Sequence, residues 1–181
     1  MIHFNIDYFL LHLSRPGVSV TVLVATLVVS AILSFWVIAS TKKHKTKRLL
    51  QVWIIACLLL MIDITVIERL SKQTSTGYQL IPFSSIGAIQ SGLIETLYEK
   101  IFNVLFFVPY GCLLGAYFRH KTFMKAVVLG VATSVGIELI QLLTHTGTCE
   151  IDDVICNTFG CVIGTGTVIT CKKIYEKLFL L

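Results

Sequence analysis

Charge is scarce in this chain. Lys, Arg, Asp and Glu make up 14% of its 181 residues and hydrophobic residues 55%. Mean hydropathy is +0.84, too apolar for a soluble core with a polar skin. Other things are missing as well. No Cys-x-x-Cys pair or Cys/His spacing marks a zinc site. No His-Glu-x-x-His, Gly-x-Ser-x-Gly or Ser/His nucleophile motif is present. The N-terminus lacks the basic leader of a cleaved signal, so the first long apolar run is expected to stay as an anchor. Low-complexity tracts and internal repeats are also absent, and without inverted repeats a transporter has little support. The net charge of +5 does not point to nucleic acid, because its distribution along the chain has a simpler cause.

What is present is a series of uncharged runs long enough to cross a bilayer. Five spans are expected, over residues 18–40, 49–67, 101–118, 126–143 and 153–171, making an all-α polytopic membrane bundle. Residues 1–17 read as a short interfacial helix and 68–100 as a polar, Ser/Thr/Gly-rich connection, with a surface helix over 89–100. The basic segments 41–48, 119–125 and 172–177 hold eleven of the fifteen Lys and Arg. They alternate with the spans, so the positive-inside rule predicts an outer N-terminus and a cytoplasmic C-terminus. The six cysteines read as structural: Cys57, Cys112, Cys156, Cys161 and Cys171 lie in apolar runs, and only Cys149 falls in a loop.

Against this background residues 136–160 stand out. They contain Glu138, Glu150, Asp152 and Asp153, four of the ten carboxylates, with no Lys or Arg among them. At ~1.5 Å rise per residue, Glu138 lies roughly 20 Å along its helix from Lys125, in the outer third of a ~30 Å core. Gln141 shares its face. Asp152 and Asp153 stand at the mouth of the next span, Asn157 one turn below, with Asn103 and Asp63 at a similar height. Two readings stay open. The polar groups could be interhelical hydrogen-bonding pairs and helix caps, or they could line a polar acidic pocket facing outward, since ionisable groups inside spans commonly mark functional sites. Gly111 with Gly115, and Gly160 with Gly164, have the spacing of close helix packing, and Pro109 suggests a kink. His145, alone in its loop, reads as surface.

Four blocks in fixed order resemble the VanZ family. They are "LIPF" (Pro82, Phe83), "NVLFFVPYG" (Asn103, Phe107, Pro109, Gly111), "IELIQ" (Glu138, Gln141) and "DVICNTFGCVIG" (Asp153, Asn157, Gly160, Gly164). The resemblance covers about 80–166 and divides the chain into an N-terminal region of residues 1–79, a core 80–171 and a basic tail 172–181. Many relatives carry Arg and an aromatic–Asp pair where this chain has Gly147 and Cys149–Glu150. That difference implies a more acidic pocket here.

The resemblance implies a multi-pass cell-membrane protein that protects against lipid-tailed glycopeptides such as teicoplanin. Its partners would be membrane lipids and either a lipoglycopeptide or a lipid-linked cell-wall precursor. Nucleic acid is not expected, no cofactor is implied, and nothing sets the oligomeric state. The competing reading is an intramembrane enzyme on a lipid-linked substrate, using Glu138 and Asp153 as an acid–base pair or as ligands of a divalent cation. A small lipid transporter is the third reading.

Overall fold

The computed structural model describes residues 45–70, 76–118 and 122–179. The expected first span, 18–40, lies outside the described residues. Within them the protein is an all-α membrane bundle: α1 (Lys45–Thr65), the short α2 (Ser84–Gln90), α3 (Ile94–Phe118), α4 (Thr122–Thr144) and α5 (Ile151–Phe179). The four long helices are apolar and long enough to cross a bilayer. A 3-10 turn, Ile67–Arg69, follows α1.

Two boundaries differ from the expectation. No surface helix covers 89–100. Instead α2 ends at Gln90, Gly92 turns the chain at φ 95°, and α3 begins at Ile94. The charged residues Glu95, Glu99 and Lys100, expected on that surface helix, form the first turns of α3. At the other end α5 runs on through the basic tail to Phe179. A small parallel ladder was also not expected: β1 (Gly77–Gln79) pairs with β2 (Thr148–Glu150) in the register Gly77↔Thr148, Tyr78↔Cys149, Gln79↔Glu150. The segment before α2 is thereby fastened to the segment before α5.

In lipid, helices gain little from burying apolar surface, so close backbone approach and interhelical hydrogen bonds must hold them together. The contact of α3 with α5 follows that rule. A Cβ on Gly160 would collide with the Val104 carbonyl, one on Gly164 with the Val108 carbonyl, and one on Gly111 with the Cys161 backbone. Thr165 Oγ1 donates to the Gly111 carbonyl at 3.0 Å, and the Cys112 thiol donates to the Gly164 carbonyl at 3.4 Å. Between α4 and α5 the fit is equally tight at Cys161, whose Sγ lies 2.6 Å from where a Cβ on Gly130 would stand. Pro109 sits within α3 without ending it. The small core gathers Met61, Phe107, Tyr110, Leu114, Ala126, Ile137 and Cys161. Tyr110 and Thr133 tie α3 to α4 through their hydroxyls at 2.9 Å. Towards the far end, Gln51 donates to the Tyr117 hydroxyl at 3.1 Å and Lys47 lies 5.1 Å over the same ring. All six cysteines are free thiols.

Space for a methyl group is what distinguishes these glycines. Gly164→Ala should lower stability by about 1–3 kcal/mol through overpacking against α3. Gly136→Ala, with nothing within 4 Å of its Cβ, should be neutral or stabilising by up to ~1 kcal/mol. Thermal unfolding in detergent checks both; equal effects would mean that α3 and α5 do not touch there.

Candidate polar site

The ends of α1, α3, α4 and α5 meet around one cavity. Its polar lining is Thr65, Arg69, Asn103, Glu138, Gln141, Asp153 and Asn157, with Met61, Phe106 and Ile137 among its apolar walls. Glu138, Gln141 and Asn157 are 3%, 4% and 5% exposed, which without partners would be costly. Partners are present. Glu138 Oε2 accepts the Glu150 backbone N–H at 2.9 Å. Gln141 Nε2 donates to the Thr65 carbonyl at 2.9 Å, one of the carbonyls left without an intrahelical partner where α1 ends. Asn157 Nδ2 donates to Ser134 Oγ at 2.8 Å. Each of these bonds joins different segments, so the polar groups also lock the packing.

The acid is not uncompensated, as its sequence neighbourhood suggested. Lys100, near the start of α3, bonds Glu150 Oε2 at 2.6 Å and also pairs with Asp153 Oδ1. The ammonium is largely buried and the two carboxylates only partly so. Arg69 enters from beyond α1. Its Nη1 lies 3.2 Å from where a Cβ on Gly147 would stand, so a side chain there would press on the guanidinium. A strongly acidic pocket without arginine is therefore replaced by one of mixed sign. Lys100, Arg69, Glu150 and Ser134 were not among the expected site residues. Helical spacing from Asn103 was the available signal for Lys100, since residues three apart share a face.

Asp152 does not line the cavity. It points instead to the turn before α2, accepting Phe83 N–H at 2.5 Å, Ser85 N–H at 2.9 Å and the Ser84 hydroxyl at 3.3 Å. It thus caps a helix remote in sequence rather than its own. This explains the "LIPF" block: Pro82 leads into Phe83, whose φ of 63° is uncommon for a residue with a side chain and is held there by Asp152. Asp63 also misses the cavity. It is 1% exposed, and neither carboxylate oxygen has a hydrogen-bond partner among the described residues. Thr65 and Arg69 represent its segment instead. His145 closes α4 in a left-handed conformation, φ 56°. The N–H groups of His145 and Thr146 bond back to Leu142 and Gln141 in the Schellman pattern.

The cavity offers about 30 Å³ to the centres of water-sized molecules. That is space for a few waters, far below the several hundred Å³ of a pocket that encloses a small-molecule ligand. Among the described residues no three of His, Cys, Asp and Glu converge as a metal site.

Cys149, on β2 beside these acids, reports on their field. Burial raises its thiol above the usual range, and the charges of Glu138, Asp153 and Glu150 raise it further. Since the thiolate is the reactive form, alkylation of a Cys149-only variant should keep accelerating at pH values where free cysteine has levelled off. Glu150→Gln should move the profile back towards free cysteine. A profile matching free cysteine from the outset would contradict this electrostatic environment.

The family model described as VanZ/LLP1 matches residues 21–172, most of the chain. "Protein VanZ" of Enterococcus faecium is 33% identical over 85 residues, covering 47% of this chain and 48% of that protein. The chain thus aligns with about half the length of this curated relative. No solved structure matches. By the extent of the family match, and with four membrane-length helices, this chain belongs to the VanZ/LLP1 family of membrane proteins.

Proposed function

We propose that this chain is a multi-pass protein of the cell membrane that contributes to resistance against lipid-tailed glycopeptides of the teicoplanin type, acting through the polar end of its bundle at the outer leaflet. The observation carrying this reading is the meeting of Asn103, Glu138, Gln141, Asp153 and Asn157 around one cavity, braced by Lys100. Orientation follows from the basic segments 41–48, 119–125 and 172–177 at the other side of the spans. A lipid-tailed drug is concentrated by its acyl chain at the level of that site.

In this reading recognition occurs at the rim, which the small size of the cavity favours. Glu150 and Asp153 are partly exposed there, while Lys100 holds them in place. An amine of the drug competes for these carboxylates, and binding alters access of the drug to cell-wall precursors. No bond is made or broken in this mechanism. Glu138 stabilises the rim from below through the Glu150 N–H. Glu138→Gln keeps an acceptor for that bond and removes the charge.

Deleting the gene, or substituting the rim carboxylate Glu150→Gln with membrane levels matched by immunoblot, should lower teicoplanin tolerance and leave vancomycin tolerance nearly unchanged, while Glu138→Gln, which keeps the rim bond, should have the smaller effect. Equal changes for both drugs, or none, would defeat the reading.

A further inference from the structure

The strand β1, the turn after it and α2 are covered by apolar side chains that the bundle does not use. Leu80, Ile81, Phe83 and Ile86 are 60%, 68%, 62% and 48% exposed. Tyr78 and Leu93 are exposed at either end, and α2 buries none of its residues. No Asp, Glu, Lys or Arg occurs from 73 to 94. The polar groups of the segment turn the other way: Phe83 N–H, Ser84 Oγ and Ser85 N–H all donate to Asp152 of α5. Gln79, Gln90 and Ser91 stay exposed beside them, yet large apolar groups outward with these donors turned inward is the reverse of a water-facing loop. An exposed apolar patch of this kind marks an interaction surface.

We propose that residues 77–93 lie in the membrane interface as a half-inserted strap, with Leu80, Ile81, Phe83 and Ile86 against lipid acyl chains. Lipid fits better than a second protein for two reasons. The patch ends at Leu93, where the membrane-length α3 begins, whose Leu105 and Phe106 are also exposed. Its charged neighbours among the described residues also begin only beyond one end, at the exposed Glu95 and Glu99, whereas protein interfaces surround an apolar centre with polar residues. Interfacial segments bind through buried apolar area, and an aromatic residue such as Tyr78 suits the headgroup level. The pairing of β1 with β2, together with Asp152, then sets the depth of the cavity relative to the lipid surface. The inference rests on the membrane fold and is independent of the resistance reading.

The test uses the full chain in vesicles, with Trp36→Phe and Trp53→Phe to remove the native tryptophans and a single reporter at Phe83→Trp. Lipids brominated near the headgroup end of the acyl chain should remove most of the emission, while aqueous iodide should quench it little. Strong iodide quenching without bromolipid quenching overturns the proposal. Shielding from both quenchers that is relieved on dilution into excess lipid also overturns it, in favour of a second copy of the chain. If Phe83→Trp disturbs the left-handed backbone there, Ile86→Trp gives the same readout from a regular helical position.

Discussion

The ammonium of Lys100 is the point on which the polar end of this bundle depends. A charge near the end of a membrane helix is tolerated only when it is paired or reaches water. Lys100 is paired with both Glu150 and Asp153. Those carboxylates belong to β2 and to the first turn of α5, so one cation from α3 fixes where the chain turns from strand into helix. From there the constraint spreads. The Glu150 N–H is directed to Glu138 on α4, and Asp152, next to Asp153, is turned towards α2. Asn157, one turn along, meets Ser134. Without Lys100 the two carboxylates would repel each other beside a low-dielectric core. Breaking such a pair costs more than the pair contributes, because a charge is left unpaired.

Close helix packing and the polar network answer the same physical problem at different depths. In the middle of the bundle, where polar groups are expensive, glycines let α3 and α5 touch backbone to backbone, and a hydroxyl reaches the Gly111 carbonyl. Towards the polar end, hydrogen bonds and ion pairs take over. The far end returns to aromatic and basic contacts at Tyr117 with Lys47 and Gln51. The polar end is therefore a hydrogen-bonded and ion-paired rim over a small cavity.

The helical spans were legible in the sequence because uncharged runs of membrane length have few other uses. Their ends were less so. α3 begins at Ile94 and carries Lys100 into the bundle, where residues some fifty positions away neutralise it, and no local pattern reveals that. For the same reason the acid of 136–160 looked unopposed: its counter-cation, Lys100, comes from α3, and Arg69 from beyond α1 lines the same cavity. The set Asn103, Glu138, Gln141, Asp153 and Asn157 could be placed together by counting rise and helical face, since those are properties of one helix at a time. Asp152 could not be placed that way. Sequence adjacency favours a cap on its own helix, whereas the three-residue pairing of β1 with β2, itself invisible in composition, brings α2 within its reach.

The most direct test of this account is a double-mutant cycle between Lys100 and Asp153, comparing Lys100→Met, Asp153→Asn and the combined variant by reversible unfolding in lipid or detergent. The single changes should each destabilise, and the pair should lose clearly less than their sum, with a coupling beyond the ~0.5 kcal/mol within which independent sites add. Additive losses would show that the ammonium does not hold the polar end together.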